Sequence, residues 1–177
     1  MGVDPGTTIM GYGVLKTQGQ KVTLLHYDVI HLSKYKGHHL KLKHIFENTL
    51  SLVKQYLPDE MAVEAPFFGK NVQSMLKLGR AQGVIMAAAM YRDIPVEEYS
   101  PRKIKQSITG NGNASKEQVA GMIAQTIGVD LEAKYLDATD GIAAALCHHY
   151  QAQLPGSGKG AGNSWKQFLK NHPDRRG

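Results

Sequence analysis

Four acidic residues stand where an open α/β fold would present chemistry: Asp4, Glu64, Asp137 and Asp140. Glu64 ends the short apolar run Met61-Ala62-Val63, which follows the polar turn Pro58-Asp59-Glu60 and reads as a buried strand. Pro66 stops any ladder from continuing, and Phe67, Phe68 and Lys70 follow before a helical pattern opens at Asn71. Asp4 likewise closes a strand, with Pro5-Gly6 as a tight turn behind it. Asp137 and Asp140 lie three apart where the helix Gly141 to Tyr150 begins, so both carboxylates can point the same way. Were all four to converge, mutual repulsion would raise some of their pKa values unless cations intervened. Hard divalent ions resolve that conflict, and Mg²⁺ prefers a few carboxylates plus water and substrate phosphate. Two such ions can activate a water and stabilise the departing oxygen of a phosphodiester.

Each acid also has a plainer reading. Glu64 serves equally as a solvated strand-end charge with the two phenylalanines capping the core. Acids at a helix start are favoured by capping and by the dipole, whatever the chemistry.

The elements that must position these residues follow from the rest of the chain. Its 177 residues suit one domain with a single sizeable core. Hydrophobic content of 42% and charged content of 20% are ordinary globular values. A formal charge of +6 favours a polyanionic partner such as nucleic acid. Cys147 is the only cysteine, which excludes an internal disulfide and a Cys-rich zinc cage. No secretion signal or bilayer-length apolar run is evident, so a soluble cytoplasmic protein without membrane partners is expected.

Val3 ends a first strand that is unusually short, because only three residues precede Asp4. Gly11 to Leu15 and Val22 to Leu32 read as two further strands in an antiparallel meander, turning at Gln18-Gly19-Gln20. Lys34 to His44 is a basic tract that overlaps a helix with Leu40, Ile45, Phe46, Leu50, Val53 and Leu57 on its apolar face. Its histidines lack the carboxylates a metal site would add, and a solvated basic face is the expectation. Asn71 to Tyr91 is apolar nearly all round and should be buried on more than one side. Gly79, Gly83 and Ala87 form a smooth stripe on it, suited either to packing on the sheet or to a partner subunit.

Ile94 to Tyr99 is another strand, entered at Pro95. Ser100-Pro101 reads as an N-cap with proline at the first helical position, and Ser115 to Gln118 as a capping box. Lys105 and Lys116 flank the loop Gly110 to Asn113, which can hold them toward a phosphate backbone. Residues 1–153 make the folded domain, and residues 154–177 read as a Gly-rich linker and basic tail.

Taken in order, these segments resemble a known family. Gly2-Val3-Asp4-Pro5-Gly6, Gly11-Tyr12-Gly13-Val14, Glu64 to Asn71, Leu76 to Gly83 and Asp137-Ala138-Thr139-Asp140-Gly141 are similar to the RuvC family of Holliday-junction resolvases, within the ribonuclease H-like superfamily. The resemblance runs from about residue 2 to residue 152. It implies a mixed five-stranded sheet flanked by helices, a homodimer, and metal-dependent nicking of four-way DNA junctions in recombination and repair. It carries the catalytic, metal-binding roles onto Asp4, Glu64, Asp137 and Asp140, with Mg²⁺ or Mn²⁺ as the cofactor and two ions per site. It makes Phe67 the aromatic that stacks on or wedges into unpaired bases, with Phe68 a second candidate. Lys105 and Lys116 match family lysines near the substrate phosphates. Lys70, Lys77 and Arg80 fall in the matched region and are assigned to DNA on their charge. The branch-migration proteins RuvA and RuvB are implied partners. The first strand departs from the family pattern in lacking a few apolar residues before its aspartate, and the tail after Leu154 has no family role.

Two other classes compete. The Gly2 to Thr8 segment also resembles the first phosphate loop of sugar kinases and actin-like ATPases, but those need two such domains and a second Gly-rich loop. A binding-only junction or RNA module is the second, and the intact set of acids argues against it.

Overall fold

A computed structural model describes residues 1–66, 71–129 and 136–153. Among the described residues five strands and five helices follow one another: β1 (Gly2–Asp4), β2 (Ile9–Gln18), β3 (Lys21–His31), α1 (His38–Tyr56), β4 (Met61–Glu64), α2 (Val72–Met90), β5 (Val96–Tyr99), α3 (Pro101–Thr109), α4 (Lys116–Ile127) and α5 (Leu136–Ala152). The strands form one sheet in the order β3-β2-β1-β4-β5. The first three pair antiparallel, whereas β4 runs parallel to both β1 and β5. The mixed five-stranded sheet that the family resemblance implies is therefore present, and β1 holds its centre with only three residues.

Strand alternation sorts the side chains into two cores. Val3, Met10, Tyr12, Val14, Met61 and Val63 point to one face, where α1 and α2 cover them. Ala62 points to the other, packed with residues of α3, α4 and α5 such as Ile104, Ile123, Ile142 and Leu146. Helix α5 lies across β1 and β2 at a distance that only glycine permits. A Cβ on Gly11 would sit 1.9 Å from the Asp137 carbonyl oxygen, and one on Gly141 would sit 2.5 Å from the Tyr12 Cα.

The helix starts are fixed as their sequences dictate. Ser100 Oγ accepts from the Lys103 amide at 3.2 Å, with Pro101 at the first position of α3. Ser115 and Gln118 close a full capping box at the start of α4. Asn71 caps α2 by accepting from the Ser74 amide at 3.1 Å.

Helix α2 corrects one expectation. It is not buried on more than one side: Ala81, Gln82, Ile85, Ala88 and Ala89 are buried, while Val72, Leu76 and Met90 are exposed. The stripe of small residues does not face the sheet either, since Gly79 and Gly83 have nothing within 4 Å of where a Cβ would stand. An alanine-rich helix touches its own fold along one narrow face, and its composition alone does not reveal how many partners it meets. The basic tract at the start of α1 is largely solvated as expected, although Glu47 pairs with Lys43 at 3.7 Å and His44 at 3.2 Å. Among the described residues no helix is long and apolar enough to cross a membrane. Residues 154–177, read above as linker and tail, lie outside the described residues, as do Phe67, Phe68 and Lys70.

Candidate active site

The period of the strands decides where the first two acids point. Asp4 has the parity of Gly2, whose missing Cβ faces the Gly141 carbonyl of α5. Glu64 has the parity of Ala62, which is buried on the same side. Val3 pairs in register with Val63, so Asp4 and Glu64 follow one residue later at the C-terminal ends of adjacent parallel strands. Asp4 is also paired with Gly11, the residue that admits the backbone of Asp137. The first turn of α5 thus arrives over the strand ends and brings Asp137 and Asp140 to the same cup. Asp4 and Asp137, from opposite ends of the chain, are near enough for the charge of Asp137 to act on Asp4.

Electrostatics report the same convergence. Burial is the first cause that pushes Asp4 up to about 7, with Asp140 and Asp137 adding repulsion and Lys116 opposing it. Burial also pushes Glu64 up to about 8, followed by the charges of Asp4 and Asp140, against relief from Lys116 and Lys105. Asp140 is raised by burial despite its hydrogen bond to Lys116. The shifts run in the direction expected of half-buried acids that also feel one another's charge.

One lysine touches the acids directly. Lys116 Nζ donates to Asp140 Oδ2 at 2.6 Å and lies 3.7 Å from Asp137 Oδ1. Burial lowers its pKa, but the hydrogen bond to Asp140 and the charges of Asp140, Asp137 and Asp4 outweigh that and raise it. Lys105 acts on both Glu64 and Asp140 from α3. Both lysines therefore belong to the acidic cup. Sequence reasoning placed them toward phosphates and missed the ion pair, for which the one available signal was the capping box that fixes Lys116 at the start of α4.

Lys77 and Arg80 are exposed on α2. They are felt by His38, whose pKa is lowered first by burial and then by Arg80, Lys77, His39 and Lys41. Lys41 Nζ in turn donates to the Thr7 carbonyl at 2.7 Å, three residues beyond Asp4. A basic rim thus joins α1 and α2 to the loop leaving the cup, and the Lys41 contact has no signal in the local sequence.

The donor set suits a hard cation, being all carboxylate oxygen with raised pKa values that a positive ion would bring down. It is gathered rather than closed. Among the described residues no three His, Cys, Asp or Glu side chains form a ready ion-binding group, and the Lys116 ammonium holds Asp140 and Asp137.

Comparison with known proteins agrees with this geometry. The family described as "Crossover junction endodeoxyribonuclease RuvC" matches residues 1–148. A protein of that name from Porphyromonas gingivalis is 56% identical over 179 residues, covering 99% of this chain and 95% of the relative. One from Bacteroides fragilis is also 56% identical, covering 99% and 94%. Among solved structures, Thermus thermophilus RuvC in complex with a Holliday junction substrate is 32% identical with a TM-score of 0.80, over 88% of this chain and 94% of that one.

Proposed function

Because the chain belongs to the RuvC family of crossover junction endodeoxyribonucleases, we propose that Asp4, Glu64, Asp137 and Asp140 are the catalytic acids with which it nicks four-way DNA junctions. The observation that carries this reading is the placement of Asp4 and Glu64 side by side at the C-terminal ends of parallel strands, with Lys116 tied to Asp140 and Asp137 at the start of α5. Oxygen ligands of this kind would hold Mg²⁺ or Mn²⁺, with two ions per site the expected number. When bound, such ions supply Lewis acidity toward the scissile phosphate and its attacking water.

The chain's own groups do the rest. Asp4 and Glu64 sit on rigid strand ends, so their carboxylates are preorganised and cost little to order. Asp137 and Asp140 ride on the first turn of α5, which Gly11 lets approach the sheet. Lys105 and Lys116 offer positive charge to the phosphate being cut, while Lys77 and Arg80 hold the backbone of a junction arm. Phe67, with Phe68 beside it and Lys70 following, supplies the aromatic wedge at unpaired bases by family resemblance. The product expected from the family is a ligatable nick with a 5′-phosphate and a 3′-hydroxyl.

A homodimer is the assembly we propose, supported by symmetry and by the exposed face of α2. A twofold dimer offers two identical sites to strands related by the junction's own pseudo-twofold axis. Val72, Leu76 and Met90 are 62%, 51% and 56% exposed, and they share a helical face with Gly79 and Gly83, where no atom lies within 4 Å of a Cβ position. That face is apolar and smooth, as a helix–helix interface requires. RuvA and RuvB are the proposed partners in branch migration, again through family membership.

The test is incubation with a synthetic four-way junction beside a matched linear duplex, with and without Mg²⁺. Symmetric paired nicks in the junction alone, dependent on the ion, are the expected result. Equal cutting of the linear duplex, or cutting without any divalent ion, would reject the proposal.

A further inference from the structure

The reading of the four acids as a cation site is the footing for one more step. We propose that Lys116 is a displaceable internal counter-cation: its ammonium occupies the position at Asp140 and Asp137 that a divalent ion needs, so the two bind in exclusion of one another.

Three observations carry this. The ammonium is in direct contact with Asp140 Oδ2 at 2.6 Å and within 3.7 Å of Asp137 Oδ1, so it covers oxygens that an ion would need to approach to between about 2.0 and 2.6 Å. The two partners differ in exposure: the Asp140 side chain is 19% exposed, whereas the Lys116 side chain is 53% exposed. The acid stays and the lysine has an open path outward. Finally, the backbone of Lys116 is pinned independently of its side chain. Ser115 Oγ accepts from the Gln118 amide at 3.3 Å, and the Ser115 amide donates to Gln118 Oε1 at 2.9 Å. Helix α4 keeps its start while the four-carbon stem swings through rotamers alone.

The device has a use. Four acids gathered on one side of a sheet repel one another, and a tethered cation relieves that repulsion without dissociating. Once evicted, the ammonium is released at the mouth of the cup, where the phosphate of a bound strand would be its nearest new partner. Exclusion is reciprocal by thermodynamic linkage: whatever Lys116 costs the ion in affinity, the ion costs the Lys116–Asp140 pair. Lys105, which also faces Glu64 and Asp140, stays behind as the remaining fixed positive charge of the cup.

The test uses the full chain without DNA, titrated with Ca²⁺. Lysine ammonium groups are followed by nitrogen-15 NMR, the Lys116 signal being identified by its loss in Lys116→Met. Calorimetry on the same samples gives the ion affinity. The expected result is that the wild-type Lys116 signal moves to the position of a free surface lysine with the midpoint of the calorimetric titration, and that Lys116→Met binds Ca²⁺ about tenfold tighter. If Ca²⁺ binds with heat that Asp4→Asn abolishes, yet the Lys116 signal stays in place, the inference is overturned and the site reading stands. If neither heat nor signal changes with Ca²⁺, both are overturned.

Discussion

Replacing Asp4 with asparagine should stabilise the ion-free protein while destroying its activity. In the fold the Asp4 carboxyl is pushed to about 7 from an ordinary 3.8, so the native state binds its proton far more tightly than the unfolded chain does. An acid whose folded pKa is raised lowers stability as pH climbs from its unfolded value to its folded one. Each pH unit across that window costs about 1.4 kcal/mol. Full ionisation by pH 8 therefore sets an upper bound on the order of 4 kcal/mol. Asp4 and Glu64 share part of the same repulsion, and Lys116 relieves some of it. A net gain of about 2 kcal/mol for Asp4→Asn at pH 8 is the working figure, or roughly 4–8 °C in Tm for a chain this size. Thermal melts in chelator at pH 8, 6 and 4 measure it. The gain should shrink through pH 6 and be small by pH 4, where Asp4 is protonated in the folded state and only partly ionised in the unfolded one. Equal or lower stability of the variant at pH 8 would refute the electrostatic reasoning. In Mg²⁺ the same variant should cut junctions at least about a thousandfold more slowly while still binding them.

Three further outcomes follow from particular residues. Gly11→Ala should destabilise the fold by about 3 kcal/mol or more, because its Cβ would meet the Asp137 carbonyl at 1.9 Å, and denaturant melts would register the loss. Gly83→Arg should not lower the monomer's Tm, since nothing lies within 4 Å there and arginine is the better helix former, yet weaken self-association by about a hundredfold or more in analytical ultracentrifugation. Phe67→Ala should slow junction cleavage more than it weakens junction binding, as read by single-turnover rates beside gel-shift titrations.

What the sequence made legible was local and chemical. Ser100, Ser115 and Asn71 each announce a helix start by side-chain type, and each caps one. The run Met61 to Glu64 reads as a buried strand because its apolar residues are bounded by a polar turn and a proline, and it forms β4. The places of the four acids were legible too, since Asp4 and Glu64 end strands and Asp137 and Asp140 lie at the start of a helix. What the sequence hid depends on contacts between distant elements. The amphipathic pattern of α2 says that a face is apolar but not whether this chain or another covers it. Lys116 looks like any surface lysine until α4 is seen to bring it to Asp140. Likewise, nothing in the sequence links Tyr99, His148 and Glu60. In the fold, His148 Nδ1 lies 2.8 Å from the Tyr99 hydroxyl, and its Nε2 lies 2.7 Å from Glu60 Oε2, tying the end of α5 to β5 and to the residue before β4.

The most direct check on the shared acidic cup is anomalous diffraction from crystals soaked in Mn²⁺. A peak bounded by carboxylates from both β1 and α5, with Asp4 and Asp137 within coordinating distance of the same density and the Lys116 ammonium displaced, is the expected result. Density confined to one of those elements, or none at the strand ends under saturating Mn²⁺, would contradict the account.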